Sequence, residues 1–391
     1  MEPVTSSTMT TPPRSRSRAK SSLKDVKSTE FLVSSAMPRI IVEEDVEALA
    51  IGGTILGGGG GGWPEIGRSD GLLALQIGKV ELWGPDEADP DWKVITSAAL
   101  GAPTEPGDTK PMHFIRAAQL LRDSNVEFQG VIAAENGGQN SFGGWVIAAS
   151  LGLPVVDTPA DGRAHPTAMM GSMGLHRHDY RSVKTGVTEG SEVICWGTLQ
   201  TTSNVIRAQA RDMRALIAMA RDPVPVSYAK EHGAPGAISM AIDLGYAYLA
   251  SVKAGADAMV DAATGFLGGE LICKGRIVKK TNEAKGGFDL GFMTVESGSD
   301  SWELSYVNEY MTLERGGVRL ATFPDLMTTF NEAGEPVTSA ALEEGQVIYL
   351  VNVAKEKIPV GYGNRYPEIY EPIEAVLGKP MVKYLGDYLF P

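Results

Sequence analysis

The chain has 391 residues, of which 43% are hydrophobic and 21% are charged, and its net charge is −13. This composition is typical of a soluble globular protein, and an acidic excess spread along the chain argues against a nucleic-acid-binding surface. No apolar run reaches about 18 residues, so no transmembrane helix is expected. Cys195 and Cys273 lack CxxC spacing. They indicate neither a disulfide framework nor a zinc ribbon, which suits a cytoplasmic protein.

Residues 1–36 differ from the rest of the chain. They are rich in Ser, Thr and Arg, and six Lys or Arg residues stand against three acids. Such a segment cannot bury enough apolar surface to fold alone, so it is interpreted as a disordered tail. An Arg- and Ser-rich segment with few acids is also typical of a mitochondrial transit peptide, which leaves a mitochondrial location as the alternative to the cytoplasm.

Six consecutive glycines, Gly57–Gly62, follow a predicted helix with the sequence "VEEDVEALAIGGTIL". Neither a helix nor a strand tolerates such a run, so the backbone must turn sharply here or approach another group closely. Nucleotide-binding loops place their glycines before a helix, and no GK[ST] follows this run. No nucleotide cofactor is therefore expected, and the segment is interpreted as a flexible or substrate-contacting loop.

A parallel βαβ unit is predicted between residues 130 and 159. "GVIAAE" reads as a buried strand, "SFGGWVIAASLG" as the crossover helix and "LPVVDTP" as the next strand. Glu135 and Asp157 are each the first polar residue after their strand. Because the carboxyl ends of parallel strands share one edge, where ligands of open α/β sheets bind, both carboxylates are candidate site residues.

The second half of the chain changes in character. Two helices are predicted near residues 203–221 and 236–254, and from Gly269 onward short runs alternate apolar and polar residues, as in an antiparallel sheet or sandwich. Since 391 residues exceed what one hydrophobic core usually supports, two domains are expected. These are an α/β N-terminal domain with parallel βαβ units, residues 37–190, and a β-rich C-terminal domain carrying the two inserted helices, residues 191–391.

Polar residues in this second half include two further candidates. Asn308–Glu309 and Asp325 break the apolar alternation of their strands abruptly, so they are expected to point back towards the first domain's edge. A stripe of basic residues on the first predicted helix suits either a substrate carboxylate or a solvated face. Its members are Arg207, Arg211 and Arg214.

A metal site is suggested by "GLHRHDY", where His176 and His178 form an HxH pair. On a strand, residues two apart share a face, so the pair can hold one ion, and Asp157 is the predicted third ligand. Zinc or manganese is the expected ion. The alternative interpretation is a pair of solvent-exposed loop histidines.

Six segments carry a resemblance to a known family: "ILGGGGGGWPEIG", "ENGGQNS…AASLGLPVVD…GRAHP", "GGFDLGFMTVE", "VNEYM", "ATFPDLMTTF" and "GEPVT…LEEGQVI". In this order they resemble the S-methyl thiohydantoin desulfurase-like family, whose genes accompany hydantoinase/oxoprolinase proteins. The resemblance implies an α/β domain, a β-rich domain and hydrolysis of a five-membered cyclic amide, thioamide or hydantoin-like ring, with water displacing sulfur from a ring carbon in the named activity.

The resemblance also implies which residues line a cleft between the domains. The chain departs from the family pattern at Pro159, where a second Asp is usual, with an acid instead at Asp161, and at His165, a position commonly aromatic. Both changes affect the expected substrate. The implied catalytic residues are Glu135, Asp157, Arg163 and Glu309, and the implied substrate-binding residues are Gly59, Gly60, Gly61, Asn136, Asn140, His165, Asn308 and Asp325.

The expected function is thus a hydrolase in which Glu135 or Asp157 deprotonates water. Glycine-loop N–H groups, or the side-chain amides of Asn136 and Asn140, would stabilise the developing anion. Arg163 would bind a ring carbonyl or a substrate carboxylate. Two alternatives are a non-catalytic subunit of a hydantoinase-type complex and a small-molecule binding protein with the glycine loop as a lid. A homo-oligomer is expected in each case.

Overall fold

The computed structural model describes residues 38–101, 107–285 and 288–391. Its first part contains a mixed sheet of eight strands. The predicted disordered tail, residues 1–36, lies outside the described residues. In sheet order the strands run β1-β2-β5-β4-β3-β8-β6-β7. They are β1 (Arg39–Ile40), β2 (Glu81–Trp83), β3 (Lys93–Leu100), β4 (Gly130–Ala133), β5 (Val155–Val156), β6 (Ser182–Thr188), β7 (Ser191–Gly197) and β8 (Ile217–Pro225).

Nine α-helices accompany the sheets within the described ranges. None of them combines the length and the apolar character needed to span a bilayer. The helices are α1 (Glu43–Leu56), α2 (Pro64–Ile77), α3 (Pro111–Asp123), α4 (Gly143–Leu151), α5 (Leu199–Met213), α6 (Val226–His232), α7 (Ala237–Leu249), α8 (Ala256–Phe266) and α9 (Glu371–Leu377).

The four strands β2, β5, β4 and β3 are parallel neighbours, which confirms the predicted βαβ unit. Every residue of β4 and β5 is buried, so continuous apolar runs form these strands, as expected for strands covered on both faces. The crossover helix α4 ends at Gly152, which has a left-handed φ of 65° that glycine adopts without strain. The turn then leads directly into β5.

A second sheet of eight strands is antiparallel throughout, as the alternating pattern predicts. Its order is β13-β12-β11-β10-β9-β16-β14-β15. The strands are β9 (Glu270–Lys285), β10 (Phe288–Ser297), β11 (Asp300–Val307), β12 (Glu309–Arg315), β13 (Val318–Thr322), β14 (Leu326–Asn331), β15 (Pro336–Val337) and β16 (Val347–Val353).

The prediction of a helix near residues 203–221 is wrong for the second half of that range. Helix α5 ends at Met213, Arg214 takes a left-handed φ of 51°, and β8 begins at Ile217. Strand β8 pairs antiparallel with β3 and so completes the first sheet. A short apolar run such as "LIAMA" does not distinguish helix from strand by periodicity, and here burial between β3 and β6 decides it. The helix predicted near residues 236–254 is the shorter α7.

Helix α1 packs against helices α2 and α7 and against strands β14 and β15 of the second sheet. Its Leu49 and Ile55 belong to one apolar cluster with Ile242 of α7 and with Leu326 and Tyr349 of the second sheet. All five side chains are at least 99% buried. Because α1 leads straight into the glycine run, this packing fixes where that run lies, between the carboxyl edge of the first sheet and strand β12. The division of the chain into domains at residue 190 stays a prediction.

Candidate active site

A cavity of about 70 Å³ lies where the glycine run meets the carboxyl ends of β3 and β4. Its walls come from both sheets, because Ala99 and Glu135 belong to the first sheet's edge whereas Asn308 and Glu309 precede or begin β12. The structure thus brings Glu135 and Glu309 to one cavity, whereas Asp157, which the sequence places at the same edge as Glu135, does not line it. The other lining residues that matter below are Gly61, Gly62, Asn140, His165, Arg207 and Arg221.

Glu135 is a buried carboxylate with three polar partners. Its Oε1 accepts a hydrogen bond from Asn140 Nδ2 at 2.6 Å, and its Oε2 accepts one from the backbone N–H of His165 at 3.0 Å. The ring Nδ1 of His165 lies 2.9 Å from the same Oε2. Two hydrogen-bond donors and an imidazole ring thus surround the carboxyl group of Glu135.

His165 supplies positive charge beside that carboxylate. Burial alone would lower the pKa of His165, but the Glu135 carboxylate and, at 3.6 Å, the Asp161 carboxylate together raise it above its ordinary value. Asp161 is itself fully buried and accepts hydrogen bonds from Asn364 Nδ2 and the backbone N–H of Gly361. Asp161 and His165, which both belong to departures from the family pattern, are thus neighbours, and His165 lines the cavity.

Glu309 is the second carboxyl group at the cavity, and its environment is the opposite of that of Glu135. It is 2% exposed, and its Oε2 has no hydrogen-bond partner among the described residues. Burial, reinforced by the nearby Glu135 charge, raises the pKa of Glu309 well above its ordinary value. Two neighbouring carboxyl groups, one bound by hydrogen-bond donors and the other buried with one oxygen unpartnered among the described residues, form a pair suited to proton transfer.

The glycine run connects this pair to both sheets through its backbone. The carbonyl of Gly58 accepts a hydrogen bond from Tyr310 N–H of β12, and that of Gly61 accepts from Gln139 N–H beside Glu135. Gly59 and Gly61 have φ values of 93° and 81°, which glycine adopts without strain. Of the run, Gly61 and Gly62 line the cavity, whereas Gly59 and Gly60 do not, and contact with a substrate stays a prediction.

Arg163 lies behind the glycine run and does not line the cavity. It is fully buried, donates through Nη1 to the carbonyls of Pro324 and Asp325, and stacks over the ring of Phe323 at 4.4 Å. Its Nη2 has no hydrogen-bond partner among the described residues and points at Gly58, where a Cβ would be 2.6 Å away. The predicted contact between Arg163 and a ring carbonyl is replaced here by contacts that support the glycine run.

The structure does not bring the predicted metal ligands together. Both carboxylate oxygens of Asp157 accept backbone N–H groups at the start of α7, from Ile238 at 2.8 Å and Ser239 at 3.0 Å. His176 contacts Glu368 through Nε2 at 3.0 Å, and the ring of His178 packs edge-on against Tyr228. Within the described residues, no group of three or more His, Cys, Asp and Glu side chains is arranged to hold a metal ion.

Four other predicted residues have mainly structural contacts. Asn136 is fully buried and donates to the carbonyls of Gly162 and Ala237, so it braces the loop after β4. Asn308 lines the cavity in a left-handed conformation, with φ of 57°, while its side chain accepts from a backbone N–H of β10. Asp325 accepts from the backbone N–H and Nζ of Lys355. Asn140 lines the cavity, and its side-chain amide donates a hydrogen bond to the Glu135 carboxyl group.

Two arginines at the cavity were missed as a pair by reasoning from the sequence. The sequence predicts for Arg207 either a contact with a substrate carboxylate or a solvated position, and the structure places it against the cavity, while Arg211, on the same helix, is exposed. Arg221 was assigned to the end of a helix. The sequence indicates such a residue through the charged pair Arg221–Asp222 inside the apolar run "LIAMARDPVPV". Charged side chains are rarely fully buried in a strand unless they are paired.

Comparison with known proteins supports the resemblance to the S-methyl thiohydantoin desulfurase-like family. Two family profiles match the chain, "S-Me-THD-like, N-terminal domain" over residues 44–195 and "S-Me-THD-like, C-terminal domain" over residues 198–358. The crystal structure of a protein from Chromobacterium violaceum has a similar fold, with a TM-score of 0.69 and 20% identity, covering 88% of this chain and 99% of that one. The comparison with curated proteins gives no match. Because the profiles span most of the chain, the resemblance is confirmed, and the chain belongs to the S-Me-THD-like family.

Proposed function

We propose that this protein is a hydrolase of a five-membered cyclic thioamide or amide, such as an S-methyl thiohydantoin or a hydantoin-like ring, and that Glu135 and Glu309 carry its proton transfers. The observation that supports this most directly is the unequal carboxyl pair at one cavity. Glu135 has partners for its charge, whereas burial and the Glu135 charge raise the pKa of Glu309. An anionic base and a neutral acid are the two groups that hydrolysis at a ring C=N carbon needs.

The reaction balances with these two groups. For an S-methyl thiohydantoin, the Glu135 carboxylate takes a proton from water as the C–O bond forms, and Glu309 gives its proton to the ring nitrogen. When the C–S bond breaks, Glu309 accepts the hydroxyl proton as the carbonyl forms, and Glu135 returns its proton to the departing methylthiolate. The products are the hydantoin and methanethiol, and both carboxyl groups end in their starting states.

The remaining cavity groups serve binding and charge balance. His165 supplies the positive charge next to Glu135, and the backbone of Gly61 and Gly62 forms the wall along which a ring can lie flat. An anion developing on the substrate would meet Gly61, Gly62 and the ring of His165, whose pKa is raised by the neighbouring Glu135 and Asp161 carboxylates. The side-chain amide of Asn140 is less available, since it already donates to Glu135.

The proposal is tested by mass analysis of products and by thiol release after incubation with S-methyl thiohydantoin, thiohydantoin and hydantoin. Glu135→Gln and Glu309→Gln are each expected to lower kcat by at least about 100-fold, because each removes a proton-transfer group. Glu303→Gln, at an exposed position of β11 in the same sheet as Glu309, is the matched control. Equal activity in all four proteins would reject the carboxyl pair as the catalytic groups.

Complete inactivity of the wild-type protein would favour the alternative role as a non-catalytic subunit of a hydantoinase-type complex. Adding the hydantoinase partner, identified by affinity purification, would then be required for turnover. Two further predictions of the sequence are tested on the same sample. Elemental analysis measures whether zinc or manganese is bound, and light scattering measures the mass of the expected homo-oligomer.

A further inference from the structure

The C-terminal segment, residues 359–391, is connected to the cavity through Asp161. This segment follows the part of the chain that the family profiles match. Asp161 Oδ1 accepts a hydrogen bond from the backbone N–H of Gly361 at 3.1 Å, and Asp161 Oδ2 accepts one from Asn364 Nδ2 at 2.5 Å. The same Oδ2 lies 3.6 Å from Nδ1 of His165, which lines the cavity. The proposed proton transfers do not use this line of contacts.

The C-terminal segment and the loop that carries Asp161 also meet through their backbones. A Cβ at Gly162 would lie 1.9 Å from the carbonyl oxygen of Pro359, and a Cβ at Gly361 would lie 2.1 Å from the carbonyl oxygen of Ala160. Neither glycine has room for a side chain, because the two backbones approach so closely. Asp161 lies between these two points of contact, so the C-terminal segment fixes its position.

A buried apolar cluster anchors the C-terminal segment in turn. Ile373 of α9 and the ring of Tyr370 belong to one cluster with Val307 of β11 and with Phe323. All four side chains are at least 98% buried. The Tyr370 hydroxyl donates a hydrogen bond to the backbone carbonyl of Asn364 at 2.7 Å. The donor that holds Asp161 is therefore attached to the core of the second sheet.

Three charged groups face the ring of His165. Its Nδ1 lies 2.9 Å from the Glu135 carboxylate and 3.6 Å from the Asp161 carboxylate, and it makes no aligned hydrogen bond among the described residues. These contacts are therefore contacts of charge, and two carboxylates favour the protonated ring. Burial and the Arg221 charge act in the opposite direction on the pKa of His165, and the carboxylates outweigh them.

The hydrogen bonds from the C-terminal segment favour the charged form of Asp161. Burial raises the pKa of Asp161 above its ordinary value, and the His165 charge opposes this effect together with the hydrogen bonds from Gly361 and Asn364. A buried carboxyl group without such donors would hold its proton and offer no charge to a neighbouring ring. The donors of the C-terminal segment thus act on His165 through Asp161.

We propose that Asp161 is a positioning residue of the proposed reaction, fixed by Gly361 and Asn364 of the C-terminal segment, and that it keeps the His165 ring protonated beside Glu135. This inference rests on the proposed function for the role of Glu135 as the base. Asp161 does not line the cavity, so it acts on the reaction only through His165. Without Asp161, His165 would lose its proton at a lower pH, and the buried Glu135 carboxylate would lose its neighbouring positive charge.

The first test is the titration of His165, followed by NMR on the full chain with carbon-13-labelled histidine rings. The His165 signal is the one that is absent in His165→Gln. Its midpoint in the wild type should exceed about pH 7, and it should fall by at least about one pH unit in Asp161→Asn. Asn364→Leu, which removes a donor but keeps Asp161, should lower it by a smaller amount. Asp179→Asn, at an exposed position between β5 and β6, is the control and should match the wild type.

Two results of this titration would overturn the inference. One is a wild-type midpoint below about pH 6.5, the ordinary value of histidine, and this measurement needs no variant to fold. The other is an unchanged midpoint in Asp161→Asn. An unchanged midpoint in Asn364→Leu would overturn the role of the C-terminal segment.

The second test measures kcat/KM for S-methyl thiohydantoin as a function of pH. Since removal of Asp161 lowers the pKa of His165, the fall of kcat/KM at high pH should begin at a lower pH in Asp161→Asn, by about the shift seen in the NMR midpoint. A merely structural role would lower kcat/KM by one factor at every pH, and this result would overturn the inference. If no protein turns over the ring but the NMR shift is present, the role of Asp161 stands and the proposed reaction fails. Normal turnover with equal midpoints would mean the reverse.

Discussion

The carboxylate of Glu309 occupies the space that a side chain at Gly60 would need. A Cβ at residue 60 would lie 1.9 Å from Glu309 Oε1, and no real pair of such atoms approaches that closely. The glycine run is thus complementary to a particular carboxyl group on the other sheet. The φ of residue 60 is not in the left-handed region, so its backbone conformation does not require glycine. The close approach of Glu309 does.

Gly60→Ala is therefore expected to displace Glu309 and to lower the activity by at least about 100-fold, the usual loss when a proton-transfer group is misplaced. Turnover of the proposed ring substrate measures this, alongside the melting temperature. Gly265→Ala in α8, where a Cβ would meet nothing within 4 Å, is the control. An active, normally stable Gly60→Ala protein would show that Glu309 need not lie where the structure places it.

Glu309→Gln is expected to reduce the pH dependence of stability. Burial, with the Glu135 charge, raises the pKa of Glu309, so the folded protein holds this proton at pH values where the unfolded chain has lost it. Stability is then fully present below the unfolded pKa and declines as pH rises towards the folded pKa. Urea unfolding at pH 5 and pH 8 measures this. The wild type should lose more stability than Glu309→Gln over that interval, and parallel losses would contradict the assignment.

Asp70→Asn is a second test of the same principle, away from the cavity. Burial raises the pKa of Asp70 in α2 from 3.8 to about 7. Ionised Asp70 therefore destabilises the fold, and the full penalty, at most about 4 kcal/mol, applies only above pH 7. Asp70→Asn should be more stable than the wild type at pH 8 and similar at pH 4 by chemical denaturation. Glu65→Gln, exposed on the same helix, should show no such difference between the two pH values.

Asp157→Asn distinguishes a helix cap from a metal ligand. Both carboxylate oxygens accept N–H groups at the start of α7, and Asp157→Asn replaces one of these acceptors with an NH2 donor that faces a backbone N–H. The free energy of unfolding should therefore fall by about 1–2 kcal/mol. Activity should persist at temperatures where the variant is folded. Asp243→Asn on the same helix, 60% exposed, is the control. Coupled loss of bound metal and of activity without loss of stability would restore the metal-ligand interpretation predicted from the sequence.

Local patterns were sufficient to predict two parallel strands of the first sheet, β4 and β5, and the edge where the cavity lies. The runs "GVIAAE" and "LPVVDTP" predict buried parallel strands because apolar continuity and a crossover helix leave few alternatives, and Glu135 then has to emerge at the carboxyl edge. The alternating texture after Gly269 likewise predicts antiparallel strands. The apolar run that forms β8 was misassigned, since its short periodicity suits helix and strand equally well.

What the sequence determined by itself was the list of chemically capable residues and the edge at which Glu135 emerges. Tertiary structure decided which of them face the cavity. Glu309 lies near Glu135 because the glycine run that follows α1 is hydrogen-bonded both to β12 and to the loop after β4. Asp157 does not face the cavity, because its carboxylate accepts hydrogen bonds from backbone N–H groups at the N-terminus of α7. Arg207 and Arg211 occupy the same helix, and only packing against the cavity separates a buried cation from a solvated one. Whether each residue faces the cavity depends on its burial and on charged residues that are distant in sequence but close in space. Neither is a property of the local sequence.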